Sequence, residues 1–166
     1  MFDADLEQLF ETESPRLFRY LDRLSGEPDL AADLVQEAFI RLHRRGAMPD
    51  RPGQWLVTVA LNLFRNTKTT RARRHHLLTA ARAESTMADP PANAAETDDA
   101  SESYGRVRAT MNRLSERDQQ MLLLRAEGYS YQDIARTLDL NEASVGTLLA
   151  RAKRAFREAY EASDAS

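Results

Sequence analysis

Apolar residues recur at helical spacing along nearly the whole chain, and the interruptions divide it into helices. Leu6, Leu9 and Phe10 open the first helix, and Leu17, Tyr20, Leu21 and Leu24 continue its register beyond Ser14-Pro15. GEPD (26–29) makes a turn. In ADLVQEAFIRLHRR, Leu34, Val35, Ala38, Phe39 and Leu42 form one stripe, and Asp33, Gln36, Glu37, Arg41 and Arg44 fall outside it. MPDRPG (48–53), with two prolines and a glycine, reads as a loop. WLVTVALNLFRNTKTTRARR follows with Leu56, Val59, Ala60, Leu63 and Phe64 as its inward set. Its β-branched content gives a strand some weight, but length and period favour a helix.

The pattern stops at ESTMADPPANAAETDDASES (84–103), which is too poor in apolar residues to order itself and reads as a flexible linker. Helical spacing resumes with Val107, Met111 and Leu114. Ser115 with Asp118 is close to a capping box, and Met121, Leu122 and Leu124 carry the next helix to Gly128, suited to a left-handed helix end. Ser130 caps a short helix of Ile134, Ala135 and Leu138. Asp139-Leu140-Asn141 turns the chain, and Asn141 caps a long last helix with Val145, Leu149, Ala152 and Phe156 inward. The expected fold is all-α: two small helical domains, residues 1–83 and 106–166, joined by a flexible acidic linker, 84–105.

Charge sharpens this picture. The 166 residues carry a formal net charge of −3, but the acidity is concentrated in the linker, where residues 84–105 contain acids and no Lys or Arg. Between Asp50 and Glu84 there is no acid, only Arg51, Arg65, Lys68, Arg71, Arg73, Arg74 and Arg82. Between Ala143 and Arg157 there is again none, beside Arg151, Lys153, Arg154 and Arg157. A basic stripe on a helix is the usual footprint of a phosphate-binding surface; the plain alternative is a solvated exterior. Residues 130–157 have the layout of a helix-turn-helix, whose second helix enters the major groove. Its outward face is Ser144, Thr147, Leu148, Arg151 and Arg154, the arginines placed for phosphates.

The chain has no cysteine, which excludes disulfides, a thiolate zinc site and a cysteine nucleophile, and fits a reducing compartment. The acidic N-terminus lacks the form of a signal peptide, and no run approaches the about 20 apolar residues that span a bilayer. A soluble, cytoplasmic protein without membrane insertion is expected. His43 stands alone, and His75-His76 adjoins a basic tract without acids. No catalytic constellation, metal site or cofactor is expected, and the chain does not read as an enzyme.

D-x-x-Q-E-x-F, W-L-x-x-x-A-x-N and L-S-x-R-D-x-x occur here in this order and spacing, within DLVQEAFIRL (33–42), WLVTVALNLFRN (55–66) and LSERDQQMLLLRAEGYSYQDIARTLDL (114–140). Together they resemble a bacterial RNA polymerase sigma factor of the extracytoplasmic-function (ECF) group, in the sigma-70 superfamily, across both domains. The resemblance implies an alternative sigma factor that binds core RNA polymerase, directs it to promoters and helps melt DNA. It implies that Asp33, Gln36, Glu37 and Arg41 face the clamp helices of the polymerase largest subunit, and that the second domain meets the flap. Asn62, Arg65 and Asn66 would approach the minus-ten element, with Arg71, Arg73 and Arg74 on backbone phosphates. The loop 46–54 would receive a flipped-out base, and Trp55 would anchor the helix rather than stack on a base. Ser144, Thr147, Leu148, Arg151 and Arg154 would meet the minus-35 element. An anti-sigma factor lying between or over the two domains is implied as a partner.

The sequence departs from the family pattern at Gly146 and Leu148, where such factors often carry arginine or lysine. Leu148 could touch a thymine methyl, the element could be read by shape and phosphates, or upstream recognition could be weak. Asp139 stands where the turn often holds glycine, in a conformation that aspartate tolerates. The linker would run near the active-site cleft and RNA exit channel; a solubilising spacer is the plain alternative. Two other classes compete: a stand-alone helix-turn-helix regulator that binds duplex DNA without polymerase, and a decoy that binds polymerase but never promoters.

Overall fold

A computed structural model describes residues 1–81 and 99–164. Among these residues the regular structure is entirely helical: α1 (Phe2–Ser25), α2 (Pro28–Arg45), α3 (Pro52–Ala81), α4 (Asp99–Asn112), α5 (Glu116–Ala126), α6 (Tyr131–Leu138) and α7 (Glu142–Asp164). Pro15 lies inside α1. It removes one backbone donor, yet the helix runs on because Leu17, Tyr20 and Leu21 beyond it are all buried. α1 and α2 both end on glycines in the left-handed region, Gly26 at φ 70° and Gly46 at φ 74°, a conformation that costs glycine nothing. Pro28 starts α2 at a position where no N–H is needed.

The second half is punctuated by side-chain caps, as its sequence predicts. Ser115 Oγ accepts from the Asp118 N–H at 3.2 Å, Ser130 Oγ from the Asp133 N–H at 3.1 Å, and Asn141 Oδ1 from the Ala143 N–H at 3.1 Å. Gly128 takes φ 88°, and Asp139 makes the turn between α6 and α7 at φ 55°, ψ 53°. The helix-turn-helix therefore stands with aspartate in the left-handed position.

Three expectations change. The helix before α5 begins at Asp99, so residues 99–105, assigned to the linker, belong to α4; about two further turns of helix cost little once Val107 and Met111 find a surface. The rest of the linker, 84–98, lies outside the described residues. In α3 the fully buried face is Leu56, Val57, Ala60, Leu61 and Phe64, and Val59 and Leu63 are half-buried. α3 packs against α1 and α2 on one side and α6 on the other, so its buried stripe is wider than a two-helix contact needs. Phe156 is half-buried rather than inward: it stacks on Tyr160, ring centroids 5.8 Å apart, beside an open groove.

The largest departure is that the two helical domains pack against each other. One cluster of buried side chains runs from Leu17, Tyr20, Leu21, Leu56 and Leu61 into Met121, Leu124, Tyr129, Ile134 and Leu149. At its centre Tyr20 of α1 meets Tyr129, edge to face at 6.4 Å, and the Arg16 guanidinium lies 3.9 Å from the Tyr129 ring centroid. Burial raises the pKa of both phenols well above the ordinary tyrosine value, so both stay neutral. Helical periodicity identifies the buried stripe of each helix but cannot say that two stripes in different domains share one core.

Candidate nucleic-acid interface

Three surfaces carry the residues singled out in the sequence. The first is the outer face of α2. Its apolar stripe, Leu34, Val35, Ala38, Phe39 and Leu42, is buried, which leaves Asp33, Gln36 and Arg41 exposed and Glu37 half-exposed on the other side. Arg41 Nε holds Glu37 Oε1 at 3.2 Å. Beside this polar face is an apolar groove lined by Phe10, Pro15, Phe18, Val35 and Gln36. Phe10, assigned to the inward stripe of α1, is 48% exposed, its ring edge-on to Phe39 at 4.9 Å. The signal for this groove was present in the sequence, since Phe10 and Phe18 follow the same helical face on either side of Pro15.

The second surface is on α3. Asn62, Arg65, Asn66, Arg71, Arg73 and Arg74 are all exposed, but the structure does not leave them equivalent. Arg65 donates from Nη1 to Asn62 Oδ1 at 3.4 Å and from Nη2 to Gln120 Oε1 of α5 at 3.0 Å. Arg71 Nη1 pairs with Glu27 Oε2 at 2.6 Å. Asn66, Arg73 and Arg74 lie farther along the helix, which past Phe64 has no buried residue. Trp55 is half-buried against the core, with the Arg45 guanidinium 5.8 Å from its ring centroid.

The third surface is the outer face of α7. Val145, Leu149 and Ala152 are buried, and Ser144, Thr147, Arg151 and Arg154 are exposed on the opposite side. Leu148, assigned to the outward face, is half-buried and packs against the core. Gly146 lies against the Tyr131 ring: a Cβ there would stand 3.5 Å from Tyr131 Cε2, an ordinary contact.

Pairings that the sequence did not reveal link the first domain to the second. Arg19 Nε and Arg23 Nη1 hold the two oxygens of Glu127 at 2.9 and 2.6 Å, and the Glu127 side chain is only 5% exposed. Arg51 Nη2 binds Asp133 Oδ1 at 2.6 Å. Lys68 Nζ binds Glu116 Oε1 at 2.9 Å, and this hydrogen bond and charge hold the Glu116 carboxyl below the ordinary glutamate value. The Thr58 and Thr137 hydroxyls lie 2.9 Å apart. Pairings between residues 48 to 108 positions apart leave no trace in local spacing.

A further groove of about 490 Å³ lies between α4, α5 and α7, lined by Val107, Met111, Leu122, Leu123, Phe156 and Tyr160, with Lys153 and Arg157 at its rim. No helix among the described residues is long and apolar enough to cross a membrane.

Residues 9–74 match the family described as Sigma-70 region 2, and residues 104–156 match Sigma-70, region 4. The chain is 31% identical over 146 residues to the "ECF RNA polymerase sigma factor EcfG" of Rhodopseudomonas palustris (strain TIE-1), covering 85% of this chain and 75% of that protein. Its fold is similar to the sigma factor RpoE of Bartonella quintana, solved in complex with the anti-sigma factor NepR: TM-score 0.69 at 23% identity, over 95% of this chain and 97% of that one. α1–α3 thus stand for region 2 and α4–α7 for region 4, and the protein belongs to the ECF sigma factors of RNA polymerase.

Proposed function

We propose that this sigma factor docks on core polymerase through the polar face of α2, opens and reads the minus-ten element with α3, and binds the minus-35 element with the outer face of α7. Region 2 would comprise residues 1–83 and region 4 residues 106–166 with the preceding turns of α4. The observation that carries the promoter reading is the division of α7, where Ser144, Thr147, Arg151 and Arg154 share one exposed face behind a buried stripe. A helix-turn-helix presents its second helix to the major groove in this way. Asp33, Gln36, Glu37 and Arg41 offer charge-assisted hydrogen bonds to a basic partner surface, with the Phe10–Phe18 groove beside them for an apolar anchor.

At the minus-ten side, Asn62, Arg65 and Asn66 face the bases, and Arg71, Arg73 and Arg74 meet phosphates. Melting exposes bases that the loop 46–54 would hold; taking a base out of the stack costs a few kcal/mol. Upstream, Ser144 and Thr147 are the groups placed for base edges, and Leu148 is too buried to do more than touch a methyl group. The minus-35 element is then read mostly through phosphates and shape. The chain supplies specificity in the cytoplasm while the polymerase supplies catalysis. The groove between α4, α5 and α7 has the apolar floor and basic rim that suit an acidic amphipathic helix, from the polymerase flap or from an anti-sigma factor. The Bartonella quintana relative was solved with such a factor.

Purified chain mixed with bacterial core polymerase is expected to start transcripts on genomic fragments at sites sharing two spaced sequence elements. DNA binding with no core-dependent initiation would make it a stand-alone regulator, and core binding without initiation a decoy. Arg151→Ala is expected to weaken promoter binding by the holoenzyme and to reduce the slope of log K against log salt by about 1. An unchanged slope would remove the phosphate contact.

A further inference from the structure

We infer that the upstream element is read at one position through the 5-methyl group of a thymine, seated in a hollow between Gly146 of α7 and the ring of Tyr131 of α6. This inference rests on the promoter-binding reading above and names the base contact that the missing side chain at Gly146 makes room for. The hollow opens at the start of α7 and is lined by Tyr131, Asn141, Glu142, Ala143 and Gly146. Glu142, Ala143, Ser144 and Thr147 around it are all exposed. It therefore lies at the N-terminal end of the second helix, the part that a helix-turn-helix lays on base edges.

The size and lining of the hollow select a methyl group. A Cβ on Gly146 would stand 3.5 Å from Tyr131 Cε2, an ordinary carbon–carbon contact, and would meet no other side chain within 4 Å. A carbon of the DNA that comes to the same place meets the ring at van der Waals distance, with no side chain of α7 in its way. The ring is presented for this. Tyr131 is 42% exposed, and the Arg125 guanidinium, 5.0 Å from the ring centroid and donating to the Tyr129 carbonyl at 3.1 Å, backs it. The Ala143 methyl completes an apolar lining of the kind that receives thymine methyls.

The polar groups at the hollow favour the same occupant. Asn141 Oδ1 accepts from the Ala143 N–H at 3.1 Å, so its carbonyl oxygen serves the cap rather than the paired bonds by which an asparagine reads adenine. The Glu142 carboxylate at the rim repels a phosphate, so an uncharged part of the DNA sits there. Ser144 and Thr147 are left to the polar base edges. A methyl group that thymine carries and cytosine lacks gives discrimination at one base pair, within an element otherwise read through phosphates and shape.

The test uses the full chain with core polymerase and a duplex carrying the upstream element at which that mixture initiates. Each thymine of the element, on either strand, is replaced singly by deoxyuridine, which keeps the pairing and lacks only the methyl group. Binding should fall about fourfold at one position, the worth of one buried methyl group, and little at the others. Gly146→Ala fills the place of the methyl and should remove that dependence, weakening the thymine duplex to the level of the deoxyuridine one. The helix does not suffer, since the new Cβ makes an ordinary contact and alanine favours a helix. Tyr131→Gln should remove the same dependence by removing the ring, and urea midpoints of the variants check the fold. Gly105→Ala, on α4 with nothing within 4 Å of the new Cβ, is the control and should keep the dependence. An element without thymine, no position sensitive to deoxyuridine, or full sensitivity in Gly146→Ala would overturn this inference and leave the sigma reading standing, because initiation is scored in the same mixtures. Absence of initiation with core polymerase would overturn the sigma reading and this inference with it.

Discussion

Leu61→Ala is expected to lower the free energy of unfolding by about 3 kcal/mol, within the range for a buried leucine truncated to alanine. Leu61 is fully buried, and it lies on α3, the helix that packs against α1 and α2 of region 2 and against α6 of region 4. Truncation removes apolar contact and leaves a cavity that a three-sided packing cannot easily close, so the cost should not fall to the transfer free energy alone. Urea denaturation followed by helical circular dichroism reads it as a lower midpoint at unchanged slope. Leu77→Ala is the matched control: Leu77 is 68% exposed at the far end of the same helix, and its loss should stay within about 0.5 kcal/mol. Similar effects at the two positions would mean that α3 does not carry the core described here.

Replacing Asp33 and Glu37 together by alanine is expected to weaken binding to core polymerase by about a hundredfold. Hydrogen bonds to charged groups contribute about 1.5–3 kcal/mol each, and two such losses amount to two factors of ten or more. The free chain should hardly notice. Asp33 is exposed, and the pair that Glu37 makes with Arg41, both substantially exposed, belongs to a class of helix-surface pairs worth about 0.3–0.5 kcal/mol. Alanine is also a good helix former. Competition for core against an unmodified labelled chain measures the loss, and the urea midpoint checks the fold. Full affinity in the double variant would place the docking surface elsewhere, with the Phe10–Phe18 groove as the next candidate.

The two predictions probe different kinds of information. That Asp33, Gln36, Glu37 and Arg41 share a face outside the stripe of α2 follows from a period of 3.6 residues and needs no neighbour. The caps at Ser115, Ser130 and Asn141 and the turn at Asp139 are equally local, since each joins groups within a few positions of one another. Leu61 is different. Spacing placed Val59 and Leu63 inward in α3, yet Val57 and Leu61 are the fully buried residues, because α6 of region 4 covers a second side of that helix. Leu148 was placed outward by the same rule and turned out half-buried against the core.

The sequence by itself determined the helices, their caps, the helix-turn-helix and the family motifs, because each rests on side chains within one or two turns of one another. It also placed the cations on α3 and α7. Which of those cations stand free was decided only by tertiary structure. Arg65, Arg51 and Lys68 are engaged by Gln120, Asp133 and Glu116, whereas Arg151 and Arg154 remain exposed on α7. The reason is physical: burial and ion pairing depend on which surfaces meet, and the surfaces of α3 and α6 meet across some 80 residues of chain that no local period can register.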